Sequence, residues 1–414
     1  EEASGTKYVP NELFKEWAVK DPIIQFEKLL KHKKILSKKI KDETEKKIQS
    51  MILPAIDSAL QAPEPISTID QEMEDVYYPL NMKCVSPGKK VSKQRLVDTI
   101  SRTLKEKMTD DDKVILLGQD IAEYGGVFKI TEGFLDKFGN DRIRNTPIIE
   151  SGAIGAAMGL ALSGYKPVVE MQFSDFISCG FNQVINNLAK THYRWGSPIN
   201  VTIRMPTGGN VNAGPFHSQN TEAWFFHVPG LKVVYPSTPA DAKGLLHSSI
   251  DDPNPVLFFE HKALYRSISG DVPDNNYHIE LGKGEIKNIG NDLTIVTYGY
   301  GVHWALKQAE KYLKNNIEIE VVDLRSLLPW DKDIISESIK KTNRVLIIHE
   351  ATITGGIGAE ISAYINENLF EYLDAPACRI GALDTPVPFA KNLEKDIFLP
   401  ISRIKDKINW VLDY

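Results

Sequence analysis

Two glycine-rich segments of this sequence carry the residues best suited to chemistry. In the first, Glu150 follows an apolar stretch and opens the run ESGAIGAAMGLAL, whose small residues predict a helix that another group approaches closely. A carboxyl group flanked by apolar residues is suited to proton exchange near neutral pH, because desolvation disfavours its charged form. The alternative is a structural carboxylate at a helix N-terminus, where negative charge is favoured. The residues alone leave both interpretations open.

The second segment is the long loop MPTGGNVNAGPFHSQN at 205–220, which contains His217. Loops of this length inside compact domains are usually functional, and a histidine there can donate a proton to a developing oxyanion. A lone histidine is structural more often than not, so the residues alone favour a structural role for His217. Another glycine loop, EATITGGIGAEI at 350–361, joins a predicted strand to a predicted helix and could bind an anion. For His349, just before it, a structural role at a strand end is favoured.

Composition excludes several classes of protein. The 414 residues include 49 basic and 55 acidic side chains, and the net charge of −6 disfavours a nucleic-acid-binding protein. No apolar run reaches the roughly 18–20 residues that a membrane span needs. Three dispersed cysteines cannot form a disulfide framework and favour a reducing compartment. Zinc-ligand spacing, a Walker sequence and a GxSxG nucleophile motif are missing from the sequence. We therefore predict a cytoplasmic protein with no membrane and no nucleic-acid partner.

Apolar periodicity predicts the elements that position these residues. Apolar residues at three- and four-residue spacings indicate helices at 21–33 and 37–61, and Ser92 is a candidate N-cap for a helix through Met108. Short apolar runs typical of strands buried in a parallel sheet follow at 114–118, 167–173, 200–205, 231–236, 255–260, 293–299, 317–324 and 344–351. The predicted fold class is α/β, with two successive doubly wound domains behind a helical arm.

Changes in composition give the domain boundaries. We predict a helical segment at 1–83, a linker at 84–90, a first α/β domain at 91–272 and a second at 273–414. The polar stretch at about 268–284 is interpreted as the boundary between the two α/β domains.

From Lys90 to Tyr414 the chain resembles the β subunit of thiamine diphosphate-dependent 2-oxo acid dehydrogenases. The matching strings, in the family's order, are GGVFKITEGFLDKFGNDRIRNTPIIESG (125–152), EMQFSDF (170–176), FNQVINNLAK (181–190), HSQNTEAWFFHVPGLKVVYPSTPADAKGLL (217–246), DLRSLLPWD (323–331) and HEATITGG (349–356). The resemblance implies a pyrimidine-binding domain followed by a transketolase C-terminal-like domain. Residues 1–83 resemble the C-terminal tail of the partner α subunit, which implies an α–β fusion and a fragment of a longer chain.

The resemblance also implies the site. Glu150 matches the glutamate that contacts the cofactor's aminopyrimidine ring, and His217 matches the histidine implicated in reductive acylation of lipoamide. Phe176, Gln172 and Ile148 match neighbours that line the cofactor pocket. A potassium ion is implied near Thr202, Ser249, Asp252 and Asn254. Gln119 departs from the family, which usually has a glutamate there that is thought to couple paired sites.

The implied reaction is oxidative decarboxylation of a 2-oxo acid with acyl transfer to lipoamide. FFEHKALYR (258–266) resembles branched-chain members and favours 3-methyl-2-oxobutanoate, with an apolar acyl pocket at Phe176 and Gln172. A pyruvate- or acetoin-specific enzyme and a non-catalytic assembly scaffold are the alternatives. Diphosphate and magnesium ligands are expected in the missing α domain, so the fragment alone is predicted to be inactive. The expected partners are a second copy, in a dimer equivalent to two α and two β units, and a lipoyl-bearing acyltransferase.

Overall fold

The structure is a computed structural model that describes residues 8–81 and 84–414. The chain forms two compact units, one ending at Ile69 and the other running from Asp70 to Tyr414. The predicted boundaries at 84–90 and at 272/273 stay predictions.

The first unit is helical, as predicted. Its helices are α1 (Asn11–Ala18), α2 (Pro22–His32) and α3 (Lys38–Gln61). Asp21 caps α2 by accepting hydrogen bonds from two backbone N–H groups, and Ser37 caps α3 by accepting one from Ile40 N. None of the residues in these three helices is buried, so their apolar side chains form no core of their own.

The second unit contains the remaining elements. Its helices are α4 (Ile69–Glu74, beginning at the boundary), α5 (Leu96–Asp110), α6 (Phe134–Phe138), α7 (Glu150–Leu162), α8 (Ala189–Trp195), α9 (Pro239–Asp251), α10 (Leu264–Ser267), α11 (Tyr300–Leu313), α12 (Lys332–Thr342), α13 (Ile357–Asn368) and α14 (Ile404–Asp413). Its strands are β1 (Val91–Arg95), β2 (Val114–Gly118), β3 (Ile143–Asn145), β4 (Lys166–Glu170), β5 (Thr202–Thr207), β6 (Lys232–Val234), β7 (Val256–His261), β8 (Ser269–Pro273), β9 (Glu285–Asn288), β10 (Leu293–Thr297), β11 (Ile319–Asp323), β12 (Ser326–Leu328), β13 (Val345–Thr352) and β14 (Cys378–Ala382).

Two sheets dominate this unit and confirm the predicted α/β class. The larger has seven strands in the order β12-β6-β7-β5-β4-β2-β3, and all its pairs are parallel except β12 with β6. The smaller has the order β14-β13-β10-β11-β9, with only β9 antiparallel. All eight predicted strands are present. Buried central strands with helices on the sheet faces explain their continuous apolar runs.

The structure corrects one local prediction. Ser92 does not cap a helix: it lies in β1, which pairs antiparallel with β8, and α5 begins only at Leu96. The partner strand β8 lies within the polar stretch at about 268–284 that was interpreted as a domain boundary. A short polar strand paired to a distant partner gives no apolar alternation, so the sequence pattern did not reveal it.

Candidate active site

The predicted catalytic and cofactor-binding residues all follow the carboxyl ends of parallel strands in the seven-stranded sheet. Gln119 follows β2, Gln172 and Phe176 follow β4, and His217 lies in the loop after β5. Glu150 begins α7 a few residues after β3. Open α/β sheets bind ligands at this edge. Residues that are distant in sequence are thus brought to one edge of the sheet.

Glu150 is buried, with 9% exposure, and its carboxylate has a defined partner. Gln119 Nε2 donates a hydrogen bond to Glu150 Oε1 at 3.1 Å. Ile149, rather than Glu150, occupies the N-cap position of α7, and it makes no side-chain cap. The carboxylate is therefore oriented by the residue after β2, while a negative charge in the first helical turn is favoured by the helix dipole.

Phe176 and His217 lie together in an aromatic cluster with Phe173. The ring centroids of Phe173 and His217 are 4.9 Å apart, and those of Phe176 and His217 are 5.5 Å apart, both in edge-on geometry. Phe176 belongs to the short helical segment Ser174–Gly180, which packs against α7. This segment connects the helix of Glu150 to the ring of His217.

The other two predicted pocket residues are more open to solvent. Ile148 is 85% exposed, just before Glu150, and Gln172 is half-buried. An isoleucine this exposed beside a buried carboxylate leaves apolar surface for a ligand or another chain to cover.

A cavity of about 740 Å³ lies beside Phe173. Its wall includes Phe128, Val211, Lys262 and Arg266 but neither Gln172 nor Phe176, which were predicted to line the acyl pocket. Burial lowers the pKa of Lys262 to about 8. Among the described residues its Nζ has no hydrogen-bond partner, and it lies 5.5 Å from the centre of the Phe173 ring. Sequence analysis missed this lysine, although its place directly after β7 was a signal.

Glu222 was also missed. It is buried, and burial raises its pKa to about 7. Tyr298 Oη donates to Glu222 Oε1 at 2.8 Å, while Oε2 has no partner within 8–81 and 84–414. Tyr298 follows β10 of the smaller sheet, and no sequence pattern relates it to Glu222.

The four predicted potassium ligands lie at the opposite edge of the larger sheet. Thr202 begins β5, Ser249 lies in α9, and Asp252 and Asn254 precede β7. Every side-chain oxygen among the four already has a hydrogen-bond partner in the protein.

The Asp252 carboxylate in particular pairs with Lys232 Nζ at 2.5 Å, which already supplies a positive charge. The charge of the one carboxylate in the set is therefore already paired, and a potassium ion at these four residues stays a prediction. Within the ranges that the structure covers, no group of three or more histidine, cysteine or acidic residues is arranged to hold a metal ion.

The glycines of the second loop, 350–361, leave space for the side chain of His349. His349 is fully buried in β13, its Nδ1 lies 2.9 Å from the carbonyl oxygen of Ala351, and burial lowers its pKa to about 4. A Cβ added at Gly356 would lie 2.5 Å from the His349 ring, and one at Gly358 would lie 2.9 Å from it. The Nε2 of this ring has no hydrogen-bond partner among the described residues, and the structural role of His349 stays a prediction. The glycines make room for its ring, which accounts for them without the anion that the sequence suggested.

Comparison with known proteins agrees with this architecture. Residues 92–267 match the transketolase pyrimidine-binding domain, and residues 282–404 match the transketolase C-terminal domain. The fold resembles a solved split-gene transketolase, described as an inactive β4 tetramer, with a TM-score of 0.61 and 22% identity over 76% of this chain and 97% of that one. None of the described helices has the length and apolar character needed to cross a membrane.

Three curated relatives are similar over most of their length. The 2-oxoisovalerate dehydrogenase β subunit of Bacillus subtilis (strain 168) is 45% identical over 72% of this chain and 92% of its own length. The mitochondrial 2-oxoisovalerate dehydrogenase subunit β 2 of Arabidopsis thaliana is 43% identical over 77% and 89%. The pyruvate dehydrogenase E1 component β subunit of Bacillus subtilis (strain 168) is 43% identical over 75% and 95%. The chain therefore belongs to the family of β subunits of 2-oxo acid dehydrogenases.

Proposed function

We propose that this chain supplies the pyrimidine-binding half of a thiamine diphosphate-dependent 2-oxo acid decarboxylase that passes its acyl group to lipoamide. The observation that carries the proposal is the Glu150 carboxylate, buried at the start of α7 and held at one oxygen by Gln119. One oxygen so held leaves the other available to an aminopyrimidine nitrogen.

The residues at this edge of the sheet fit the pyrimidine half of thiamine diphosphate. Glu150 offers a carboxylate oxygen, Phe176 an aromatic surface, and Ile148 exposed apolar surface. When bound, thiamine diphosphate supplies the carbanion stabilisation that loss of carbon dioxide requires. We assign the diphosphate and magnesium ligands to the α domain, as the family resemblance implies.

Each residue then has a definite task. Glu150 exchanges a proton with the pyrimidine ring, and Gln119 fixes the direction of its carboxylate. Gln119 donates a hydrogen bond where a glutamate would place a second negative charge. Phe176 and Phe173 hold the His217 ring between them, so that it can donate a proton during acyl transfer.

For the substrate we propose a branched-chain 2-oxo acid of the 3-methyl-2-oxobutanoate type. The string FFEHKALYR supports this choice, and its Lys262 and Arg266 line the cavity beside Phe173. Pyruvate- and acetoin-type substrates are the nearer alternatives, because a pocket that differs by one or two methylenes discriminates only modestly. Relatives at similar identity carry both the 2-oxoisovalerate and the pyruvate name.

We also propose that residues 1–83 are the C-terminal part of an α subunit fused to β, acting as a dimer with a lipoyl-bearing acyltransferase in the cytoplasm. The absence of buried residues in α1–α3 supports packing against another chain or domain. The exposed face of α7, with Gly152, Ala156 and Gly159, would let a second copy approach closely.

The test uses this chain with the upstream α segment restored, thiamine diphosphate and magnesium. Dye-coupled decarboxylation is measured with 3-methyl-2-oxobutanoate and pyruvate as competing substrates. Glu150→Gln keeps the shape but loses proton exchange, so the rate should fall about 100-fold or more. Glu337→Gln changes an exposed glutamate on α12 and should leave the rate unchanged.

The outcomes separate the candidates. Preference for the branched acid supports the proposed substrate. Preference for pyruvate would make pyruvate the substrate and leave the proposed mechanism unchanged. Full activity of Glu150→Gln would contradict the catalytic assignment. Wild-type protein that is silent with both acids but still binds the acyltransferase would favour the scaffold.

A further inference from the structure

The loop that carries His217 has an unusual backbone. Residues Gly208, Asn210, Asn212 and Gly214 all have positive φ, between 56° and 84°, and the residues between them do not. Such alternation turns successive backbone N–H groups toward one side and forms a concave anion-binding surface, called a nest. A nest in a loop predicts that some anion is held there.

Two buried carboxylates from the smaller-sheet region fill this nest. Gly209 N donates to Glu350 Oε1 at 2.6 Å. Asn210 N donates to Glu394 Oε1 at 2.6 Å, and Asn212 N donates to Glu394 Oε2 at 3.2 Å. Glu350 and Glu394 are 5% and 1% exposed, so these charge-assisted hydrogen bonds are shielded from water.

The loop's glycine pair makes this approach possible. A Cβ at Gly209 would lie 2.7 Å from Glu394 Oε1, and one at Gly208 would lie 2.2 Å from His261 Nε2. His261 in turn lies 2.8 Å from the second oxygen of Glu350. A side chain at either glycine would therefore displace the groups that hold the loop.

The far end of the loop is attached as well. Asn220 Nδ2 donates to Glu350 Oε1 at 2.9 Å, and Gly208 N donates to the carbonyl oxygen of Gln219 at 3.2 Å. Glu350 thus binds the loop on both sides of His217. Between these attachments, the imidazole packs edge-on against the Phe173 and Phe176 rings.

From this geometry we infer that Glu350 and Glu394 are positioning residues for His217: they clamp its loop so that the imidazole stays against the two phenylalanine rings. The catalytic consequence rests on the proposed function, whereas the attachment of the loop does not. Acyl transfer to lipoamide should depend on the clamp, and decarboxylation, which depends on Glu150, should not.

The variant that tests the clamp is Glu394→Gln. Its amide oxygen can still accept from Asn210 N, but its NH₂ group would face the Asn212 N–H, donor against donor. Glu371→Gln, at an exposed position in the same region, is the matched control. Both are made in the chain with the α segment restored.

Two readouts follow the loop without relying on activity. The His217 ring protons, assigned with His217→Asn, should lose the ring-current shifts caused by Phe173 and Phe176 in Glu394→Gln but keep them in the control. In wild-type protein, amide exchange at Gly209, Asn210 and Asn212 should be strongly protected. Exchange as fast as in an exposed loop would overturn the inference, even if Glu394→Gln does not fold.

The activity readout adds the catalytic part. In Glu394→Gln, lipoamide acylation should fall about 10-fold because a small misplacement of a catalytic group is costly, while dye-coupled decarboxylation is retained. Unchanged His217 resonances together with unchanged acylation would overturn the inference. A wild-type protein with no decarboxylase activity would instead contradict the proposed function, and the resonance comparison would still decide whether the clamp exists.

Discussion

The two glycine-rich loops, 205–220 and 350–361, look alike in sequence, and their glycines make room for different groups. In the first, Gly208 and Gly209 allow a buried histidine and two carboxylates to reach the loop backbone. In the second, Gly356 and Gly358 give space to the ring of His349. A glycine cluster therefore indicates a close approach, and the approaching group decides whether the loop positions a functional residue or completes a core.

The largest expected difference between the loops concerns their histidines. His217→Asn should lower lipoamide acylation about 100-fold or more, because in the proposed function this ring donates a proton during acyl transfer. The free energy of unfolding should change little, because the ring is only half-buried. His349→Asn should lower the free energy of unfolding by about 2 kcal/mol and leave the rate unchanged, because that ring fills a buried site. Rate assays and denaturant unfolding on both variants check the contrast. An unchanged acylation rate in His217→Asn would contradict the expected contrast between the two histidines.

A second difference concerns the pH dependence of stability. Burial raises the pKa of Glu222, which follows the first loop, from 4.5 to about 7, so the folded state keeps a proton that the unfolded state releases. Stability should therefore fall as pH rises through this interval, by up to roughly 3 kcal/mol. Glu222→Gln should abolish this contribution, as measured by urea unfolding between pH 4.5 and 7. An identical pH profile in the variant would contradict the shift.

His349 should contribute the opposite slope. Burial lowers its pKa from 6.5 to about 4, so between these values the unfolded state binds the proton and the folded state does not. Stability should rise with pH across this interval, again by up to roughly 3 kcal/mol, and be complete above pH 6.5. The same unfolding series on His349→Asn should lack this rise. If His349→Asn still becomes more stable as the pH rises through this interval, a group other than His349 causes the rise.

The smallest expected effect is a difference in stability between substitutions of two neighbouring glycines in the second loop. Gly356→Ala forces a Cβ within 2.5 Å of His349 and should cost about 1–3 kcal/mol of stability. Gly355 has a φ of 70° but open space around its Cβ, so Gly355→Ala should cost only about 1 kcal/mol. Thermal unfolding of the two variants measures the difference. Equal costs would mean that conformation, and not the His349 ring, determines the need for glycine.

The sequence by itself determined the α/β class, the eight main strands and the helices of residues 21–61, because apolar periodicity records which faces are buried. It also singled out Glu150 and His217. The sequence did not predict strand β1. This strand pairs with β8, about 180 residues away, and such a distant pairing leaves no local pattern.

Only the tertiary structure decided how the candidate site is assembled. The pairing of Gln119 with Glu150, the cluster of His217 with two phenylalanines, and the hold of Glu350 and Glu394 on the loop all join distant parts of the chain. The structure likewise showed that Lys232 already neutralises Asp252. Composition and spacing describe neighbours along the chain, whereas burial and hydrogen bonding depend on neighbours in space.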